Sequence, residues 1–130
     1  MSFIKNGIVV CVALVLAAPA YAHHSGAMYD RSKPNTIKAV VKALNWTNPH
    51  VSLVVTPDGA SETVTVEMSS PAVLTRAGWS KRSFNPGDRI ELVYAPLRRG
   101  GPSGQFMSAV ARDGKTMKWD FSPSGEANLR

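Results

Sequence analysis

The chain has 130 residues, of which 44% are apolar and 18% charged, and its 15 basic and 9 acidic side chains leave a net charge of +6. This length and composition suit one small globular domain. They exclude a coiled coil, a collagen-like repeat and a polytopic membrane protein. The basic balance favours an anionic or amphipathic partner over a cationic one.

The N-terminus has the features of a secretory signal peptide. Lys5 precedes an uninterrupted apolar run at residues 8–18, and an Ala-Tyr-Ala sequence ends at Ala22. We therefore predict a signal peptide over residues 1–22 and export to the periplasm or beyond. An uncleaved anchor is the alternative, but the run is shorter than the ~20 residues a transmembrane helix needs. The single cysteine, Cys11, lies inside this run, so the mature chain needs no disulfide.

The rest of the chain reads mostly as strands. Residues 23–35 are polar and predict an extended N-terminal arm with little apolar surface to bury. A serine pair followed by Pro71 and an apolar run ending at Gly78 predicts one short helix. We expect residues 122–130 to form a loose tail. Alternation of apolar and polar residues predicts five strands, at residues 36–46, 50–56, 63–68, 90–94 and 106–112. Residues 116–121 are a possible short sixth strand.

Three strands, a helix and two strands follow the order of the OB-fold, a small five-stranded Greek-key barrel. We therefore predict an all-β, OB-like barrel domain over residues 36–121, with other small barrels or sandwiches as alternatives. Oligonucleotide binding is a common use of this fold, but fold does not determine function. An exported chain with few strand aromatics is a poor candidate for it, so we expect no nucleic-acid partner.

Three histidines are the candidate metal ligands. Cleavage after Ala22 would leave His23 and His24 at the mature N-terminus, where the free α-amine and an imidazole can chelate one ion. Nitrogen ligands of this kind favour Cu(II) over Ni(II) and Zn(II). His50 follows the turn at Asn48 and Pro49, and twelve extended residues span roughly 40 Å, so the arm is long enough to reach it. The ligand types are those of the histidine brace, and solvent-exposed histidines are the alternative.

A second group of residues suits a binding surface without metal. Tandem basic and exposed aromatic side chains fit a small anionic ligand or an envelope protein partner. Neither a carboxylate pair nor a serine with a fixed base is evident, so we name no catalytic residue and favour a binding protein over an enzyme. The members of this predicted surface are Trp46, Asn48, Trp79, Arg98 and Arg99.

Several short motifs resemble those of a known group of proteins. They are Ala-His-His-Ser at residues 22–25, Trp-Thr-Asn-Pro-His at 46–50, Gly-Trp at 78–79 and Pro-Gly-Asp at 86–88. Together they resemble small exported bacterial proteins that are classed as a domain of unknown function. The resemblance covers nearly the whole mature chain and implies no activity. It therefore leaves both the metal hypothesis and the binding-module hypothesis open.

Overall fold

The computed structural model describes residues 25–111 and 113–118. A short 3₁₀ turn, Ser25–Met28, lies in the arm. It is followed by strands β1 (Asn35–Asn45), β2 (Ser52–Pro57) and β3 (Val64–Glu67), helix α1 (Pro71–Arg76), and strands β4 (Arg89–Pro96), β5 (Ser103–Ala111) and β6 (Thr116–Lys118). No helix in these residues is long and apolar enough to cross a membrane.

The five main strands close into a barrel. The strand order is β3-β2-β1-β4-β5, with β6 added beyond β5, and β3 pairs in parallel with β5 to complete the ring. Strand β1 is shared, because its first half pairs with β4 and its second half with β2, with an irregularity between Val41 and Ala43. A bulge of this kind bends a strand sharply enough to serve two sheets. The predicted OB-like β-β-β-α-β-β barrel is confirmed.

The alternating pattern predicts the core correctly. Leu53 and Val55 on β2 are fully buried, as are Val51 just before β2 and Val66 on β3, while the residues that alternate with them on the two strands are only half-buried. The helix also begins as predicted: Ser70 is its N-cap, and its side chain accepts a hydrogen bond from the Val73 amide. These elements are local, so a sequence pattern is sufficient to find them.

Trp79 is in the core, so its predicted place on a partner surface is wrong. Its side chain is only 2% exposed, and its ring meets Phe106 edge-on at 5.4 Å between centroids. Gly78, with φ of +82°, turns the chain at the end of α1, and the Trp79 amide donates to Leu74. This turn directs the indole into the barrel end, where its large apolar area is removed from water.

Among residues 27–35 of the arm, Tyr29 is the one buried side chain, and it attaches the arm to the barrel. Tyr29 is 4% exposed and forms a β-bridge with Leu97, and the Asp30 amide donates to the Pro96 carbonyl at 2.8 Å. The arm therefore adds a short extension to the end of β4. Strand β5 also begins at Ser103, earlier than predicted, because its first residues form the parallel pairing with β3.

Candidate functional site

A pocket of about 320 Å³ lies on the outer face of β2 and β3, beside the β1–β2 loop (residues 46–51). In OB-folds this face and the loops at its edge are the usual ligand-binding region. The hydroxyl-bearing residues Ser52, Thr65 and Ser103 line the pocket together with Pro49 and Gly104. Tyr29, His50 and Glu67 complete the lining and form a connected polar group.

Glu67 binds two side chains with its two carboxylate oxygens. Oε1 lies 2.6 Å from Nδ1 of His50, and Oε2 accepts a hydrogen bond from the Tyr29 hydroxyl at 2.7 Å. The side chains of His50 and Glu67 are 43% and 29% exposed, so this group lies at the pocket mouth. Because Nδ1 of His50 faces Glu67, Nε2 is the nitrogen that a bound metal would use.

Tyr29 acts as a hydrogen-bond donor across the neutral pH range. Burial raises the pKa of its hydroxyl, and the hydrogen bond to Glu67 and the charge of that carboxylate raise the pKa further. A phenol held protonated in this way remains available to donate to the carboxylate. The contact therefore ties the arm to β3 next to His50.

Arg98 on the β4–β5 loop (residues 97–102) also holds the arm. Its amide donates to the Met28 carbonyl at 2.9 Å, and its Nε donates to the Ala27 carbonyl at 3.2 Å. Its guanidinium lies 3.9 Å from the Asp30 carboxylate. The predicted anion-binding role of Arg98 therefore competes with contacts that the side chain already makes within the chain.

The structure separates the predicted site residues. His23 and His24 lie outside the described residues, whereas His50 lies in the pocket. Asn48 is exposed on the β1–β2 loop, and Trp46 on the same loop is half-buried against the core. Arg99 is exposed on the β4–β5 loop. Within residues 25–111 and 113–118, no group of three or more His, Cys, Asp or Glu side chains could hold a metal ion.

Sequence reasoning missed Tyr29 and Glu67. Glu67 has outward parity on β3, and the hairpin register places it opposite Ser52. That register makes Glu67 a diagonal neighbour of His50 on the outer face, within reach of a long side chain. A search for acid–imidazole neighbours in the predicted hairpin would have found this pair. Tyr29 offered only a weak signal, as an aromatic residue in a polar segment.

A family model matches residues 10–107 of the chain. The chain belongs to DUF6152, a family of unknown function. This membership confirms the resemblance to a domain of unknown function. The DUF6152 match includes all three histidines, together with Tyr29 and Glu67, and it ends within β5. No curated protein matches the chain, and no solved structure matches it.

Proposed function

We propose that this protein is exported and binds a metal ion, preferentially copper, through His23, His24 and His50. It would store, carry or buffer the ion rather than catalyse a reaction. One observation carries the proposal: the carboxylate of Glu67 holds Nδ1 of His50 at 2.6 Å. Metal-binding imidazoles almost always have such a partner on their second nitrogen, which orients the ring and makes Nε2 a better ligand.

The path of the arm also supports the proposal. Tyr29 is bound to the same carboxylate as His50, and only residues 25–28 separate it from His24. At no more than ~3.5 Å per residue, this connection spans less than ~20 Å. A mature chain that begins at His23 would therefore have its N-terminus within reach of the pocket. An α-amine with a pKa near ~8 and imidazoles together form a nitrogen-rich set that favours Cu(II).

Copper binding by the exported protein tests the proposal. The N-terminal mass should first show that the mature chain begins at His23. Calorimetry at neutral pH should then give one Cu(II) bound more tightly than Zn(II), and affinity should fall at lower pH as protons compete for the nitrogens. Electron paramagnetic resonance should show several nitrogen ligands. A mature chain that begins elsewhere would contradict the amine–imidazole chelate.

Variants separate the chelate from ordinary surface histidines. Adding three residues before His23 displaces the amine, keeps every side chain and places neither histidine third in the chain, and it should weaken copper binding as strongly as His23→Ala. His50→Ala should remove one nitrogen from the copper spectrum, while Asn48→Ala on the same loop should leave it unchanged. Equal, weak binding by the native and extended proteins would refute the metal site.

A binding module without metal is the second candidate. The pocket is close to the lower size limit of small-molecule sites, about 300 Å³, and the hydroxyl groups of Ser52, Thr65 and Ser103 line it. These features, together with exposed Arg99 on the neighbouring loop, favour a small polar or anionic ligand. An envelope protein is the other partner to test. If copper binding fails, the retention of small carboxylates or phosphates should be measured for the native protein and for Arg99→Ala.

A further inference from the structure

We propose that Glu67 couples docking of the arm to the orientation of His50, so that Tyr29 and Glu67 are positioning residues of the pocket. The carboxylate holds the arm with one oxygen and the imidazole with the other, at 2.7 and 2.6 Å. The consequence for copper rests on the function proposed above. The coupling itself belongs to the metal-free protein and can be measured there.

The coupling follows from the geometry of one shared carboxylate. Its two oxygens move together, so one rotation of the side chain changes both contacts. While Tyr29 holds Oε2, Oε1 stays directed at Nδ1 of His50. When the phenol leaves, water can reach this partly exposed carboxylate and compete for both oxygens. The imidazole then loses the acceptor that keeps its proton on Nδ1.

Other contacts allow this link to be cut without removing the arm. The Asp30 amide donates to Pro96, the Arg98 amide donates to Met28, and Nε of Arg31 donates to the side chain of Gln105 at 2.9 Å. The Tyr29 ring is itself buried and contributes apolar contact. Tyr29→Phe keeps the ring and these hydrogen bonds, and it removes only the hydroxyl that reaches Glu67.

Coupling of this kind is reciprocal. If the arm orients His50, then a group bound at Nε2 of His50 must also favour the docked arm. A metal at Nε2 keeps the remaining imidazole proton on Nδ1, where Glu67 accepts it. Metal binding should therefore slow the opening of the arm, and an undocked arm should weaken metal binding by the same factor.

The first experiment is a double-mutant cycle in the metal-free protein. Exchange of the Asp30 amide reports opening of the arm. We expect His50→Ala to speed this exchange about three- to tenfold in the native background and to have no effect in the Tyr29→Phe background. In a Tyr94→Phe background, which removes a hydroxyl that accepts a hydrogen bond from Asn35 and does not belong to the Tyr29–Glu67–His50 group, the effect of His50→Ala should persist. Equal acceleration in all backgrounds, or none in any, would overturn the coupling.

The second measurement reports the imidazole directly. In alkaline solution, ¹⁵N shifts distinguish the two neutral tautomers of His50. The native protein should show the proton on Nδ1. Tyr29→Phe should shift the population several-fold towards Nε2–H, and Glu67→Gln should shift it further. If the tautomer of His50 is unchanged in Tyr29→Phe, Tyr29 does not position the imidazole and its role is purely structural.

Copper then tests the consequence for the site. Adding Cu(II) should slow exchange of the Asp30 amide in both proteins, because the ion would itself bridge the arm and His50, and it should slow exchange by a larger factor in the native protein than in Tyr29→Phe. If the native protein binds no copper, the proposed function fails, while the cycle and the tautomer measurement still decide the coupling. If copper binds but slows exchange equally in both proteins, the coupling fails while the metal site stands.

Discussion

Replacing Gly104 by alanine should destabilise the barrel at the seam where it closes. Gly104 pairs with Val66 on β3 and with Pro96 on β4, so it lies between two strands. A Cβ at this position would lie 2.6 Å from the Ala95 carbonyl oxygen and 3.0 Å from Cε2 of Tyr94, and it would be closer still to Cδ2 of that ring. The carbonyl belongs to the strand ladder and the ring is buried, so neither can move cheaply.

The steric penalty should outweigh the usual benefit of the substitution. Gly104 does not have positive φ, and alanine in such backbone normally stabilises a protein by ~0.4–1 kcal/mol through the unfolded chain. Overpacking a core costs about 1–3 kcal/mol. With two immobile obstacles at these distances, the cost of Gly104→Ala should lie near the upper end of that range of about 1–3 kcal/mol. We therefore expect the free energy of unfolding to fall by a net amount of about 2 kcal/mol. That is a large share of the ~5–15 kcal/mol by which domains are stable.

Urea unfolding measures this loss. With a slope of about 1–1.5 kcal/mol per M, a loss of about 2 kcal/mol lowers the midpoint by roughly 1.3–2 M. Ser103→Ala, one residue earlier on β5, should change the midpoint little because its side chain is half-buried and its backbone pairing is kept. In a Tyr94→Leu background, Gly104→Ala should lower the midpoint by less, since the ring is one of the two obstacles. An unchanged or higher midpoint for Gly104→Ala would refute the reasoning.

Two further predictions concern Trp79 and Tyr29. Trp79→Ala should lower the free energy of unfolding by about 3–5 kcal/mol in denaturant titrations. Trp46→Ala, at a half-buried position, should lower it clearly less. Similar losses for the two variants would contradict the core position of Trp79. Because folding raises the pKa of Tyr29, its contribution to stability is complete below the unfolded pKa of ~10 and declines as pH rises above it. The difference in unfolding free energy between the native protein and Tyr29→Phe should therefore shrink above pH ~10, and a constant difference would show that the hydroxyl keeps the same ionisation in both states.

Trp79 and Tyr29 show where sequence patterns lose their power. Alternation of side chains identifies which face of a strand is buried, as at Val51 and Val66, because that period is a property of the local backbone. Trp79 follows a helix and precedes a turn-rich segment, so no side-chain periodicity indicates whether it is buried or exposed. Tyr29 stands in a polar arm, and its partners Glu67 on β3 and Leu97 on the β4–β5 loop are distant in sequence.

The amino-acid sequence by itself determined the β-rich barrel, the order of its elements, and the outward placement of His50 and Glu67. Each of these depends on neighbours a few residues apart, through side-chain period, helix capping and turn chemistry. Only the tertiary structure decided that Glu67 joins His50 to Tyr29 and that Arg98 holds the arm. The contacts of Tyr29 and Arg98 form only once barrel closure has brought the arm, β3 and the β4–β5 loop together, and closure depends on the parallel pairing of β3 with β5. Pairing between strands so far apart leaves no periodic signal in the chain, so local patterns could not anticipate it.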